Sequence, residues 1–245
     1  MPERGWALVT GAARRIGRAL ALSAARAGYD IVVHHHLSDA AETVRAVEAL
    51  GRQARAASAD LADADACRAL AGGGELRLLV NSASRFDDDR IATLTAASWD
   101  AAVATNLRAP VLLAQAFAAA LPADAQGLIV NVVDQRVLKP TPQFFSYAVS
   151  KAGLWAATRM LAQGLAPRIR VNAIAPGPTL RSVHQAEGEF EAEAGAAPLG
   201  HGATPDEIGA ALAYLIDARS VTGQMIAVDG GQHLAWRTPD IIDPD

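Results

Sequence analysis

The chain has 245 residues, half of them hydrophobic (51%) and a fifth charged (20%), which fits one large α/β domain with a substantial core. Its net charge of −4 lacks the basic surplus typical of nucleic-acid-binding proteins, so no nucleic-acid partner is expected. The single cysteine, Cys67, excludes an internal disulfide. Neither a signal region nor an apolar run of about 20 residues is visible, so we expect a cytoplasmic protein without a membrane partner.

Strand-like and helical segments alternate along the chain. Several strand candidates are continuous Val, Ile and Leu runs, which are typical of parallel strands covered on both faces. The predicted strands are residues 6–10, 30–35, 55–59, 77–81, 127–133, 170–174 and 224–228. The predicted helices are residues 15–27, 39–50, 63–71, 98–121, 146–166 and 205–217. This alternation predicts one doubly wound (Rossmann-type) α/β domain over residues 1–245, with a seven-stranded parallel sheet and helices on both faces.

Two segments depart from the alternation. Residues 178–198 are rich in Ala, Glu and Gly, which predicts a loop or a short helix. Lids over ligands are often such segments, so this is the candidate substrate loop, and a solvated insertion is the alternative. Residues 236–245 form a polar, acidic tail, for which we expect disorder.

A glycine-containing turn follows the first strand. It reads Thr10-Gly11-Ala12-Ala13-Arg14-Arg15-Ile16-Gly17. In such a turn, backbone N–H groups and the helix dipole can meet a pyrophosphate, although the spacing is not G-x-G-x-x-G. Gly11 would permit the tight turn, and Gly17 would permit close packing of helix on strand. Arg14 and Arg15 are unfavourable in a first helical turn unless an anion lies nearby, the alternative being that they extend into solvent.

The end of the second strand bears on the choice of dinucleotide. NAD enzymes of this architecture usually place an acidic residue there to hold the ribose hydroxyls. Here the strand is followed by His36, Leu37, Ser38 and Asp39. With no carboxylate at the strand end and Arg15 close by, a 2′-phosphate is favoured, and with it NADP(H). Adjacent histidines on a strand point to opposite faces, so we expect no metal site.

Tyr147 and Lys151 lie four residues apart near the start of a predicted helix, so they share one helical face. The positive charge of a lysine in that position can lower the pKa of the phenol from about 10. Such a phenol can donate or accept a proton as hydride moves. A lone Y-x-x-x-K motif is common by chance, and this one gains weight from its place after the fifth strand.

The segments together resemble the short-chain dehydrogenase/reductase family along nearly the whole chain. The resemblance rests on Thr10-Gly11 with Gly17, Asp60, Asn81-Ser82-Ala83-Ser84, Asn106, Tyr147 with Lys151, Pro176-Gly177 and Val228-Asp229-Gly230-Gly231. It implies that Tyr147 is the general acid/base, that Lys151 binds the nicotinamide ribose, and that Asn106 supports a water-linked proton relay. Asp60 would hold the adenine amine or, alternatively, cap a helix. The candidate cofactor-binding residues are Gly11, Arg14, Arg15, Ile16, Gly17, His36, Ser38, Asp60, Leu61, Asn81, Ser82, Ala83, Ser84, Lys151, Pro176 and Gly177.

Three departures from the usual family pattern resemble its pteridine reductase branch. They are Asp134, thirteen residues before Tyr147 where serine is usual, the Asn81–Ser84 loop followed by Phe86, and the paired arginines of the turn. A protonated aspartate can deliver a proton, whereas a serine hydroxyl is far less acidic. Leu37 is a mismatch, because that branch often has an arginine near the 2′-phosphate.

The branch resemblance implies a set of substrate contacts. Phe86 would stack on a pterin whose other face meets the nicotinamide, and Asp134 and Tyr147 would supply protons as hydride reduces a C=N bond. The alternatives are that Phe86 is only a packed loop residue and that Asp134 marks a degraded site. The candidate substrate-binding residues are Arg15, Ser84, Phe86, Asp134 and Tyr147.

The sequence thus predicts an NADPH-dependent reductase of a pterin or dihydropterin. The first alternative is a carbonyl reductase of a ketone or 3-oxoacyl thioester, with Asp134 in the role of the serine. The second is a non-catalytic NADP-binding sensor, which the joint presence of Asn106, Tyr147 and Lys151 disfavours. Helices 98–121 and 146–166 carry apolar residues on more than one face. The family resemblance implies that they build a homotetramer.

Overall fold

A computed structural model describes residues 4–236, in which seven parallel strands form one sheet. The strands are β1 (Trp6–Val9), β2 (Asp30–His35), β3 (Ala54–Ser58), β4 (Leu76–Asn81), β5 (Gly127–Val132), β6 (Ile169–Pro176) and β7 (Met225–Val228). Their order across the sheet is β3-β2-β1-β4-β5-β6-β7. The predicted doubly wound, seven-stranded parallel sheet is therefore confirmed. Since the chain reverses its winding between β1 and β4, a cleft forms where these strands end.

Helices cover both faces of the sheet. They are α1 (Arg15–Arg26), α2 (Ala41–Glu48), α3 (Ala64–Ala71), α4 (Ala96–Val103), α5 (Ala109–Ala120), α6 (Phe145–Leu165), α7 (Glu189–Gly195) and α8 (Pro205–Asp217). Each strand side chain faces one layer or the other, because successive residues of a strand point to opposite faces. In β1, Ala7 and Val9 pack in the layer of α1 and α8, whereas Leu8 packs in the layer of α3 and α5.

The single helix predicted over residues 98–121 is divided in the structure. Thr95 caps α4 by accepting the Ser98 N–H, so the helix begins at Ala96. Between α4 and α5, Ala104–Arg108 form a π-helical turn. The buried Asn106 lies in this turn, and π turns inside helices often mark functional positions.

The predicted substrate loop, residues 178–198, is mostly irregular and contains the short helix α7. Glu193 of this helix accepts hydrogen bonds from Gln185 (2.8 Å) and Gln232 (3.0 Å), which tie the loop to itself and to the chain after β7. Of the predicted tail, only Trp236 belongs to the described residues. Among the helices of residues 4–236, none combines the length and apolar character that crossing a bilayer requires.

Candidate active site

In the turn after β1, close backbone contacts leave no room for a Cβ atom at Gly11 or at Gly17. The Thr10 hydroxyl accepts the N–H groups of Ser82 (2.9 Å) and Ala83 (3.0 Å), which joins the ends of β1 and β4. Gly11 has a φ of 66°, and a Cβ there would lie 2.8 Å from the Ala83 Cα. A Cβ on Gly17 would lie 2.1 Å from the Gly11 carbonyl oxygen. Both glycines are therefore required by the backbone itself.

His34, at the end of β2, supports the same turn. Its Nδ1 accepts the Gly11 N–H at 3.1 Å, so the Nε2 carries the proton and donates to the Ala59 carbonyl at 3.2 Å. Burial lowers the pKa of His34 to about 4. The imidazole is thus a neutral brace between β1, β2 and β3.

The first turn of α1 is suited to an anion. No side chain caps it and it contains no acidic residue. Arg15 has a left-handed φ of 54°, a costly conformation for a residue with a long side chain. Its guanidinium donates to the carbonyl oxygens of Leu180 (3.1 Å) and Arg181 (3.0 Å) in the substrate loop. The sequence analysis predicted that Arg15 lies beside cofactor phosphate and pterin. In this structure its hydrogen-bond partners belong to the substrate loop. Arg14 is exposed.

The first carboxylate after β2 is that of Asp39, which is exposed. Asp39 accepts the Ala41 N–H at 2.9 Å and so caps the start of α2. His36 and Leu37 are exposed, and Ser38 is half-buried. Asp60, predicted to hold the adenine amine, accepts the Ala62 N–H at 2.9 Å and is exposed beside buried Leu61.

The proposed chemical groups meet where β5 and α6 approach each other. The Tyr147 hydroxyl donates to the Asp134 carboxylate at 2.7 Å, and the Arg136 N–H donates to the other carboxylate oxygen at 2.8 Å. The Lys151 ammonium donates to the Val132 carbonyl at 2.7 Å. Tyr147 and Lys151 are both buried, and the Lys151 Nζ lies 5.7 Å from the centroid of the Tyr147 ring. The tyrosine and the aspartate are thus a directly bonded pair.

The pKa of Tyr147 is shifted in the direction opposite to the sequence-based expectation. Burial first, and then the Asp134 carboxylate, raise the pKa of Tyr147 well above its ordinary value. Arg136 acts in the opposite direction. The pKa of Tyr147 is therefore not lowered towards neutrality as expected, because burial and the Asp134 carboxylate outweigh the effect of Arg136. Burial lowers the pKa of Lys151 itself to about 8.

Asn106 braces the loop after β4. Its Oδ1 accepts the Arg85 N–H (2.8 Å) and the Ser84 hydroxyl (3.2 Å), and its Nδ2 donates to the Arg85 carbonyl (2.9 Å) and the Ser150 hydroxyl (3.0 Å). The asparagine thus joins this loop to α6, and a role in a proton relay stays a prediction. Deeper in the sheet, Asn81 donates to Asn131 at 2.8 Å.

An aromatic cluster adjoins Tyr147. Phe86 meets the Tyr147 ring edge-on, with 4.6 Å between centroids, and stacks on Phe144 at 4.2 Å. His184 of the substrate loop bonds to the Phe86 carbonyl at 2.9 Å. The Arg136 guanidinium lies 5.4 Å from the centroid of Phe144 and 3.5 Å from an Asp134 oxygen. One face of Phe86 is therefore covered by Phe144, and Phe86 is half-buried.

Sequence reasoning missed three members of this cluster, Phe144, Arg136 and His184. Phe144 has a left-handed φ of 52°, which no sequence pattern predicts for phenylalanine. Spacing offered a signal, since Arg136 lies two residues after Asp134 and Phe144 three before Tyr147. Nothing in residues 178–198 singled out His184.

Pro176 and Gly177, at the end of β6, close the cleft beside β7. The Gly177 N–H donates to the Val228 carbonyl at 3.0 Å, and a Cβ on Gly177 would lie 2.7 Å from the Asp229 Cα. Within residues 4–236, no cluster of His, Cys, Asp and Glu side chains is arranged to hold a metal ion.

Comparison with known proteins identifies the class of protein. A family model described as Enoyl-(Acyl carrier protein) reductase matches residues 11–233. A 3-oxoacyl-[acyl-carrier-protein] reductase FabG of Staphylococcus aureus is 32% identical over 240 residues, which are 93% of this chain and 98% of that protein. The chain therefore belongs to the short-chain dehydrogenase/reductase family of oxidoreductases.

Two solved structures are more similar still. FolM alternative dihydrofolate reductase 1 from Brucella canis, complexed with NADP, is 46% identical with a TM-score of 0.92, and the match covers 98% of each chain. The protein of the same description from Brucella suis, also in complex with NADP, is 47% identical with a TM-score of 0.93. That match covers 99% of this chain and all of the other.

Proposed function

We propose that this protein is an NADPH-dependent reductase of the C=N bond of a pterin or dihydropterin. The 2.7 Å hydrogen bond between Tyr147 and Asp134 carries the proposal, because it joins the phenol to a carboxyl group at a position where the family resemblance implies a serine. The likeness to two FolM structures supports it. Reduction of C=N needs a proton on nitrogen as well as hydride on carbon, and a paired carboxyl and phenol can supply one.

The residues present fit NADP(H). The turn after β1 offers a first helical turn without cap or acid, and its glycines let a pyrophosphate approach the backbone. The end of β2 carries no carboxylate of the kind that NAD enzymes place there, since the first acid after it, Asp39, lies four residues beyond His35 and accepts the Ala41 N–H. Bound in this cleft, the cofactor would supply the hydride. Arg14, His36 and Ser38 are the side chains we assign to its adenosine end.

Lys151 would hold the nicotinamide ribose and supply positive charge beside Tyr147. Because burial lowers the pKa of Lys151 to about 8, that charge is present below this pH and lost above it. The Tyr147 hydroxyl donates to Asp134, so this pair shares one proton, which lies on the phenol. Transfer of that proton to a ring nitrogen would leave a phenolate, which a proton from solvent would then restore. Arg136, on the same carboxylate, would keep this pair oriented.

The aromatic cluster favours a flat substrate. The face of Phe86 that does not stack on Phe144 would stack on the pterin, and the edge-on contact between Phe86 and Tyr147 would hold the phenol hydroxyl near the rim of the pterin ring. Arg15 and His184 bond the substrate loop to the phosphate turn and to Phe86, respectively, so this loop would cover the bound ring. Ser84 would contact the cofactor from the loop after β4.

Two substitutions test the proton-transfer pair with dihydrobiopterin and a panel of ketones. We expect Tyr147→Phe to lower kcat by about 10²–10⁴-fold, with NADPH affinity nearly unchanged. We expect Asp134→Ser to lower kcat strongly on the dihydropterin. Retention of more than about a tenth of wild-type activity by Tyr147→Phe would exclude Tyr147 as the proton donor, because general acid/base groups contribute more than that.

A second candidate, carbonyl reduction, is favoured by the likeness to FabG. Carbonyl reduction needs only a hydrogen bond to the oxygen at position 134, because Tyr147 supplies the proton. Asp134→Ser should then leave ketone turnover similar or raise it. A serine variant as fast as wild type on dihydropterin would contradict the pterin proposal, and no turnover of any compound by wild type would favour a sensor. We further propose a cytoplasmic homotetramer, for which the mass in solution is the test.

A further inference from the structure

Asp89 is a buried acid outside the groups discussed so far. It lies three residues after Phe86 and is only 5% exposed. Its carboxylate accepts the Ser146 N–H at 3.0 Å, and its own carbonyl accepts the Phe145 N–H at 3.0 Å. Both N–H groups belong to the first turn of α6, immediately before Tyr147. The residue therefore fastens the Phe86 loop to the helix that carries the proposed acid.

Helix α6 has no cap of its own. Phe144 occupies the N-cap position in a left-handed conformation and makes no side-chain capping bond. The first N–H groups of a helix require partners, and an acidic side chain is favourable there because of the helix dipole. Asp89 meets this need from a segment more than 50 residues away in sequence.

Asp89 caps α6 at a cost in folding free energy, because two buried polar atoms at this contact are left without partners among the described residues. The second carboxylate oxygen of Asp89 is buried without a hydrogen-bond partner among residues 4–236, as is the Ser146 hydroxyl. A buried carboxylate with unmet hydrogen-bonding capacity is unfavourable, so the contact between the Phe86 loop and α6 is made at a cost to stability. A requirement for the position of Tyr147 would explain why this contact is made.

We propose that Asp89 is a positioning residue for the reduction. By fixing the first turn of α6 against the Phe86 loop, it sets the Tyr147 hydroxyl relative to Asp134 and to the substrate ring. The proposal rests on the proposed role of Tyr147, but not on the choice between pterin and ketone as substrate.

The test compares Asp89→Ala and Asp89→Asn, assayed on whichever compound wild type reduces fastest. Since small misplacement of a catalytic group is costly, we expect Asp89→Ala to lower kcat about 10- to 100-fold, with NADPH Kd changed less than about twofold. Asp89→Asn keeps an acceptor of the same shape, so its kcat should stay within about fivefold of wild type. The control is Asp63→Ala, which removes the cap of α3, where Asp63 accepts the Asp65 N–H at 2.8 Å. It should lower Tm and leave kcat unchanged.

The double variant Asp89→Ala with Tyr147→Phe separates positioning from general damage. If Asp89 acts through Tyr147, removing it costs little once the phenol is gone, so the two losses do not multiply. Losses that multiply, or wild-type kcat in Asp89→Ala, would overturn the proposal. Should Asp89→Ala fail to fold, Asp89→Glu decides. A kcat loss of at least about fivefold with NADPH Kd unchanged supports positioning, and wild-type kcat overturns it. Full activity of Tyr147→Phe alone would instead refute the proposed function.

Discussion

The turn after β1 and the substrate loop meet at Arg15, but they are held by different means. The turn is fixed by backbone atoms, with glycines where any Cβ would overlap the chain. The loop is held by side-chain bonds, from Arg15, His184 and Glu193. A turn packed in this way tolerates no side chain at Gly11 or Gly17, whereas a loop tied by a few side-chain bonds can open at a lower free-energy cost. The turn is thus the more constrained side of the cleft, and the substrate loop is the less constrained side.

The sharpest test of the rigid side is Gly17→Ala. Because the new Cβ would lie 2.1 Å from the Gly11 carbonyl oxygen, the turn must shift, and we expect a loss of about 4 kcal/mol or more in the free energy of unfolding. Gly164→Ala in α6 is the control, since a Cβ there meets nothing within 4 Å. It should stabilise the protein by up to about 1 kcal/mol. Equal stability of the two variants in urea titrations would show that the turn is not fixed by its backbone.

A second prediction concerns the brace under the turn. His34 has a pKa of about 4 when folded and an ordinary value of 6.5, so between these values the unfolded chain binds the extra proton. Stability conferred by the neutral imidazole is complete above pH 6.5 and is lost as pH falls to about 4, a loss of about 3 kcal/mol. Urea titrations from pH 7 to 4 measure this slope. His34→Gln should flatten it, and exposed His36→Gln should not; an unchanged slope in His34→Gln would refute the assignment.

The smallest effect is expected on the loop side. Arg15→Ala removes two bonds to loop carbonyls, so we expect the KM of the substrate to rise about 2- to 10-fold. NADPH and NADH affinities should change alike. Arg14→Ala, which removes a charge from the same turn without touching the loop, should leave that KM unchanged. If Arg15→Ala instead weakens NADPH alone, Arg15 serves the 2′-phosphate, as the sequence suggested, and the loop is held without it.

These contrasts also explain what could be predicted from sequence. Strand runs, the glycine turn and the Tyr147–Lys151 pair follow from local periodicity and sterics, so the fold was predicted closely. Asp134 was singled out only through resemblance to a branch of the family. The contacts of Arg15 with Leu180 and Arg181 join residues about 165 positions apart, and no local pattern encodes them. The predicted lowering of the Tyr147 pKa was wrong, because burial, which the sequence does not display, is the largest influence on this pKa and raises it.

The π turn at Ala104–Arg108 has a consequence for how the protein tolerates change in length. Such a turn is equivalent to one residue inserted into an α-helix, which rotates everything beyond it by about 100°. Here α4 contacts α6 before the turn and α5 contacts α3 after it, so one continuous helical segment packs against two helices of the same layer at different angular phases. Deleting one residue from the turn would restore regular periodicity and swing the apolar stripe of α5 away from α3. The π turn thus sets the rotation of α5 relative to α4, and the length of this segment matters more than most of its side chains.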